Sequence, residues 1–338
     1  MRSSLSYLSK LSLLTFSCAL CLVAAELVVR LLVPVRNVGP SFSRYDPVYG
    51  KALKRSISVT RITPEFTMRF TTNADGYRGP ELKRPNAGSL VFLGDSFTMG
   101  YGVTDGEEFP ALVRRALAGR HPPVQLEVIN AGIGDIGNGR PLSFLRRDAA
   151  ALKPRAIVLQ IHANDFNDNV HDRFFELDPA GALVKLPVPP RGIARLVHTG
   201  IESVPGLAYS HLIGLLRQIR FGGGSPIAAA KPKPPRSGAD ERADRREHLM
   251  LAVQGEIVRT VRERGWPLLV VLVGLSERRR TLLEDFFRER AIPTVSIPAK
   301  NERPDLYFDI DGHWNTAGQA FAADRVLAAL EPFELERW

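Results

Sequence analysis

The stretch Val91–Gly100, VFLGDSFTMG, decides how this chain is read. Leu90, Val91, Phe92 and Leu93 form an unbroken apolar run that ends on Gly94, Asp95 and Ser96. A run this short and continuous fits a strand buried on both faces, as strands of parallel sheets are. Two explanations fit the residues that end it. Asp and Ser are common turn formers. Alternatively, Ser96 stands at the strand tip so that its hydroxyl can be reached.

The rest of the chain repeats the pattern. LEVINAG (126–132), AIVLQIHAND (156–165), Leu268–Gly274 and TVSIPA (294–299) read as four more strands. Helical stretches fall between and after them: FPALVRRALAG (109–119), PLSFLRRDAAALK (141–153) with Pro141 at its start, Glu247–Arg264, TLLEDFFRERA (281–291) and Thr316–Leu330. Strands alternating with helices predict an α/β fold with a mostly parallel sheet covered on both faces. Ligands of such sheets collect at the carboxyl ends of the strands. GDS, NAG and HAND all fall there.

Composition narrows the partners. The net charge of +9 at pH 7 suits anionic surroundings, such as a membrane surface or an acidic polymer. The basic residues are interleaved with acids, as in RTVRERG and EDFFRERA, which marks solvated helix faces. No basic stripe with interleaved aromatics points to nucleic acid. The two cysteines, Cys18 and Cys21, lie in the N-terminal apolar segment, so the remainder holds neither a disulfide framework nor a cysteine metal site.

That segment follows Arg2 and Lys10, and Leu11–Ala25 carries no charge. Glu26 and Arg30 can pair on a helix, acid first, and Leu11–Val33 is long enough to cross a bilayer core. A cleaved secretory signal would use the same core, with Val23 and Ala25 before the cut. A buried core helix is the third alternative. The anchor is the favoured reading: a single pass through the inner membrane in residues 1–36, with the remainder in the periplasm. Residues 37–88 then read as a linker and extended lead-in, and 89–332 as the main domain. An irregular insertion at about 170–240 contains LPVPPRG and the Gly- and Pro-rich GGGSPIAAAKPKPPRSGADE.

A nucleophilic serine needs a base, and the base needs an orienting acid. The loop DIDGHWNTAG (309–318) offers His313, with Asp311 two residues earlier and Asp309 four earlier. Residues two apart on an extended loop project to one side. Acyl transfer also needs oxyanion donors. Backbone N–H groups near Ser96 and Gly134 can supply them, as can the side-chain amide of Asn164.

GDSFTMG, NAGIGD, HAND and DGHWN, in this order, resemble the four sequence blocks of the SGNH (GDSL-type) esterase and acyltransferase superfamily. TTNADGYRGPEL (71–82) resembles the Asn-x-x-Gly-x-Arg segment that precedes the serine block in membrane-anchored members. The resemblance implies a three-layer, flavodoxin-like α/β/α fold with a five-stranded, mostly parallel sheet. It implies a triad of Ser96, His313 and Asp311, and an oxyanion hole from Ser96, Gly134, Asp135 and Asn164. It implies no metal or organic cofactor. The expected substrate is an O-acyl ester, cleaved through an acyl-enzyme, with an acylated polysaccharide as one candidate. Transfer of the acyl group to a polysaccharide hydroxyl, or a non-catalytic carbohydrate-binding role, are the alternatives.

Two positions depart from the pattern. The second block usually has glycine where Asp135 stands, and a carboxylate there opposes an oxyanion unless it points away or is paired. The last block is often Asp-x-x-His but is Asp-x-His here, which leaves Asp309 as a second candidate acid. Four further features have plainer expectations. NDFNDNVHD (164–172) is expected as a polar loop, with a cation site as the alternative. His162 and His171 are expected as loop residues, or as supports behind the site, rather than zinc ligands. Arg278–Arg280 are expected as solvated surface. Trp314 either walls an acyl pocket or packs.

Overall fold

The computed structural model describes residues 2–33, 35, 38–83, 88–120, 126–188, 200, 204, 206–221 and 239–335. Four short strands precede the main sheet: β1 (Ser43–Asp46), β2 (Gly50–Leu53), β3 (Ser58–Ile62) and β4 (Thr67–Thr71). The apolar runs then become β5 (Ser89–Leu93), β6 (Glu127–Asn130), β7 (Pro154–His162), β10 (Leu268–Val273) and β11 (Thr294–Ile297). Between β7 and β10, a hairpin of β8 (Phe175–Leu177) and β9 (Leu183–Lys185) occupies part of the segment expected to be irregular. The Gly- and Pro-rich residues 222–238 lie outside the described residues.

The central sheet has the order β6-β5-β7-β10-β11, and every pairing in it is parallel. Its first strand in sequence lies between its second and third, so the winding reverses beside β5. That is the flavodoxin-like order, with its crevice at the carboxyl end of the strand where the direction switches. β5 and β10 are buried along their whole length, which explains why neither alternates apolar with polar residues.

Nine helices are described. They are α1 (Arg2–Leu32), α2 (Ser96–Met99), α3 (Phe109–Ala118), α4 (Gly139–Arg147), α5 (Asp165–Asp172), α6 (His211–Phe221), α7 (Ala239–Glu263), α8 (Glu277–Arg288) and α9 (Thr316–Leu330). On one face of the sheet, Phe92, Val158 and Val271 form a core with Phe109, Val113 and Leu117 of α3 and Ala322, Ala323 and Val326 of α9. Each Val, Leu or Phe side chain among them contributes ~1.5–3 kcal/mol by leaving water. The alternating residues Val91, Ile157, Leu159, Val270 and Leu272 are equally buried. Helices α4, α5 and α7 pack together as the other layer, burying Leu142, Leu145, Phe166, Met250, Val253 and Ile257.

Two helices differ from expectation. The helix expected over 141–153 ends at Arg147 and is followed by a 3-10 turn, Ala149–Leu152. The junction, Asp148, accepts the Tyr49 hydroxyl, and Lys153 closes the turn at φ 48°. Helix α7 starts at Ala239, well before Glu247.

The chain forms two compact units: Met1–Ser41 with Arg61–Phe66 and Gly192–Lys231, and Phe42–Thr60 with Thr67–Arg191 and Pro232–Trp338. In the first, Val29, Val35 and Val38 cluster with Leu212 and Leu215 of α6. Glu26 pairs with Arg30 at 3.6 Å, as its spacing predicts. Its carboxylate also accepts the Ser210 hydroxyl at 2.7 Å and the His211 and Leu212 N–H groups at 2.8 and 2.9 Å, capping α6. Within α1, Tyr7–Leu32 is 26 residues long and apolar enough to cross a membrane. At 1.5 Å per residue it spans ~39 Å, against a bilayer core of ~30 Å.

Candidate active site

The site is in the second unit, at the carboxyl end of β5. Gly94 follows the strand because nothing larger fits: a Cβ there would lie 2.4 Å from both Gln160 Oε1 and Thr98 Oγ1. Gln160 Oε1, buried on β7, accepts the Asp95 N–H at 3.0 Å and the Thr98 hydroxyl at 2.9 Å. Asp95 Oδ1 accepts the Phe97 N–H at 2.9 Å. The chain turns sharply, and Ser96 opens the one-turn helix α2.

Arg78 holds the far end of this turn. Its side chain is fully buried and donates to the carbonyls of Met99 at 2.9 Å, Gly100 at 2.5 Å and Val103 at 2.8 Å. Asp105 Oδ1 neutralises it at 3.3 Å. The arginine of TTNADGYRGPEL therefore braces the serine turn from below.

His313 reaches the turn from the loop before α9. Its Nε2 is 2.7 Å from Ser96 Oγ, and its Nδ1 is hydrogen-bonded to Asp311 Oδ1. An ionised carboxylate only accepts, so Nδ1 carries the proton and Nε2 is left to accept the Ser96 hydroxyl. Asp309 is exposed and has no hydrogen bond or ion pair to His313; its main-chain carbonyl accepts from Lys300 Nζ at 2.6 Å. The imidazole sits among the rings of Phe97 and Tyr101, with centroids 5.1 and 4.9 Å away. Trp314 is fully buried and packs edge-on against Phe97 and Phe109, so it packs rather than walls a pocket.

Gly134 lies against the serine: a Cβ there would come within 3.3 Å of Ser96 Cβ. Asp135 follows in the left-handed region at φ 53°. Its carboxylate is paired with Lys51 of β2, Nζ to Oδ2 at 3.0 Å, and the same ammonium donates to the Gly134 carbonyl at 2.7 Å. The Lys51 charge is the main reason the Asp135 carboxyl is held below its usual range.

Asn164 leaves β7, the neighbour of β5, at the same edge. Its Nδ2 donates to Asp168 Oδ2 at 2.8 Å, and its Oδ1 is 2.5 Å from His162 Nδ1. The side chain caps no helix N–H. One of the two amide hydrogens is used by Asp168, which leaves the second for another acceptor.

Behind these groups lies a polar layer. Burial lowers the His162 pKa, and Nδ1 lies 3.6 Å from Asp95 Oδ2. Asp165, wholly buried, accepts the His162 N–H at 2.8 Å, and burial drives its carboxyl well above the usual range. The segment NDFNDNVHD is the helix α5, not a loop. Asp172 accepts the Gly137 N–H at 2.7 Å and Asn169 Oδ1 the Gly139 N–H at 3.1 Å, so its oxygens hold the glycine-rich segment 134–139. Among the described residues no group of three His, Cys, Asp or Glu side chains could hold a metal ion. Arg278 is exposed, as expected, and pairs with Glu247 at 2.6 Å, whereas the half-buried Arg279 lies 4.2 Å over the Phe166 ring and Arg280 pairs with Glu302 at 3.3 Å.

The structure thus gathers Ser96, His313, Asp311, Gly134 and Asp135, and puts Asn164 at the adjoining strand end. Reading the sequence missed Lys51, which sits in YGKALK without any motif to mark it. It also missed that Arg78 supports the serine turn, although the segment carrying it stood out.

The sequence model of the GDSL-like lipase/acylhydrolase family matches residues 92–321. Among solved structures, the chain is similar to a lipolytic protein of the G-D-S-L family from Desulfitobacterium hafniense DCB-2, at 13% identity and a TM-score of 0.40, covering 72% of this chain and 99% of that one. It is also similar to the acetylxylan esterase Axe2 from Geobacillus stearothermophilus, at 16% identity and a TM-score of 0.37, covering 74% and 97% of the two chains. No curated protein matches the sequence.

Proposed function

Because the chain belongs to the GDSL-like lipase/acylhydrolase family, we propose that it cleaves an O-acyl ester through an acyl-enzyme on Ser96. The observation that carries this reading is His313 Nε2 at 2.7 Å from Ser96 Oγ, with Nδ1 turned to Asp311. Ser96 Oγ attacks the acyl carbon while His313 Nε2 takes its proton, and the carbonyl electrons move to oxygen. Asp311 fixes the tautomer that makes Nε2 the base and stabilises the imidazolium. N–H groups of Ser96, Gly134 and Asp135 and the Asn164 amide bind the oxyanion. As it collapses, His313 gives the proton to the leaving alcohol. Water, deprotonated by the same imidazole, then attacks the acyl-serine, and as the intermediate collapses His313 returns that proton to Ser96 Oγ and the acid leaves.

The acyl group is short and carbohydrate-linked in this proposal, and the net charge of +9 suits an anionic polysaccharide. Helix α1 anchors the molecule in the inner membrane with the site on the periplasmic side. The pairing of Asp135 with Lys51 favours a working oxyanion hole over a non-catalytic role. The test is p-nitrophenyl acetate turnover by the full chain in detergent, with Ser96→Ala beside it. The wild type should turn over, and the alanine variant should fall to the residual rate left by binding and the oxyanion hole. A folded alanine variant with wild-type kcat would exclude Ser96 as the nucleophile. Adding an oligosaccharide acceptor separates hydrolysis from transfer, because a transferase forms acylated sugar at the expense of free acid.

A further inference from the structure

The structure assigns a role to Lys51, which lies outside the matched residues 92–321: we propose that it is the positioning residue of the oxyanion hole. This rests on the reading of Ser96 as the nucleophile.

The peptide between Gly134 and Asp135 is one planar unit. In a trans peptide the C=O and N–H point to opposite sides. Lys51 Nζ takes the Gly134 carbonyl at 2.7 Å and so sets the direction of the Asp135 N–H on the other side. The segment itself is free to swing on neither flank, since Gly134 is packed against Ser96 and Gly137 is held by Asp172. Lys51 has a second contact, to Asp135 Oδ2 at 3.0 Å.

That contact answers a specific problem. A carboxylate next to a developing oxyanion raises the energy of the transition state. The ammonium cancels this charge in place. Lys51 and Asp135 therefore function as a pair that stands where the family pattern has glycine alone. The lysine side chain is 21% exposed but that of Asp135 is 94% exposed, so water weakens their pairing and the Gly134 carbonyl is the firmer of the two contacts.

The role predicts a particular kinetic signature. A group that acts on the oxyanion affects the transition state and not the ground state, so kcat falls while KM holds. Lys51→Met keeps the aliphatic stem and removes the charge. In the full chain in detergent, it should lower kcat for p-nitrophenyl acetate by ~10–100-fold, less than losing a whole donor, with KM within ~3-fold. Rates are counted per serine titrated by a fluorophosphonate, so unfolded protein does not enter. In an Asp135→Asn background, where the left-handed position suits asparagine and the charge is gone, Lys51→Met should still lower kcat, because its contact with the Gly134 carbonyl remains, and any difference between the two factors measures the Asp135 charge.

A wild-type kcat per titrated serine in Lys51→Met overturns the proposal. So does an unchanged kcat when Lys51→Met is added to Asp135→Asn, or a rise in KM that accounts for the whole effect. Ser96→Ala separates the two readings. If it still turns over, the nucleophile reading fails and takes Lys51 with it. If it is inactive while Lys51→Met is normal, only the Lys51 role falls.

Discussion

Asn164 puts two demands on one side chain. Its amide can donate to an oxyanion without any ionisation, yet the residue also opens α5, where an asparagine usually caps. The structure weakens the second role, because the side chain accepts no helix N–H and is instead held between Asp168 and His162. Removing one oxyanion donor lowers kcat by ~100–1000-fold, whereas losing a cap costs ~1 kcal/mol of stability. Asn164→Ala should therefore lower kcat by about that factor and leave the thermal midpoint within ~2 °C. Steady-state kinetics and a melting curve on one variant decide it. A lowered midpoint with intact kcat would return Asn164 to the scaffold. At this scale the sequence was informative where chemistry needs a fixed residue type at a strand end, as at Ser96, Asn164 and His313. It was silent where a residue works through a main-chain atom. A lysine that binds the Gly134 carbonyl has no partner type to betray it, because every residue carries a carbonyl.

Helix α5 joins the candidate site to the glycine-rich segment, and two of its carboxyls are set against water. Asp168 is pushed up to about 6, chiefly by burial and then by the Asp95 and Asp135 charges. Asp172 is pushed up to about 7, again chiefly by burial, with Asp168 and Asp135 adding to it and Lys51 opposing. The unfolded chain releases these protons near pH 3.9, while the folded chain keeps them longer. Between roughly pH 4 and 7 the unfolded state thus binds fewer protons, and stability falls as pH rises. For Asp172 this amounts to ~1–2 kcal/mol once partial solvation is allowed for, or ~3–6 °C in a domain of this size. Asp172→Asn still offers an oxygen to the Gly137 N–H but cannot titrate. The midpoint of the wild type should therefore drop by ~3–6 °C relative to the variant between pH 4.5 and 7.5. Parallel curves would show that the Asp172 carboxyl is not perturbed. The elements themselves were legible in proportion to their burial. The inner strands stand out because both faces are covered, and no polar residue interrupts β10. The hairpins β1–β2 and β8–β9 were not, since their strands are three or four residues long and partly exposed, with no periodicity to read. The split of α4 at Asp148 was equally hidden, because it depends on Tyr49, remote in sequence.

At the scale of the whole molecule the open matter is how α1 is used, and the energetics favour retention. Leu13, Leu14, Phe16, Leu20 and Leu22 are exposed along one continuous helix, which no aqueous setting favours and a bilayer accommodates. Glu26 is the costly residue in such a span. Its carboxylate is compensated by Arg30, the Ser210 hydroxyl and two N–H groups of α6, which concentrates the polar contacts near the helix's C-terminal end. A cut after Ala25 would leave the Glu26–α6 contact but remove the span; retention keeps both. Arg2 and Lys10 precede the apolar run, and Arg36, Arg44 and Lys51 follow it, so the orientation proposed above, with the second unit on the outer side, is read from protease access rather than from flanking charge. The mature protein should keep residues 2–25, remain with membranes through an alkaline carbonate wash, and be digested by protease added to spheroplasts. Mass spectrometry of the purified N-terminus is the decisive measurement, and a chain that starts at Glu26 would establish a cleaved signal and sink the anchor. Digestion only after the spheroplasts are lysed would instead reverse the orientation and place the serine chemistry on the cytoplasmic side.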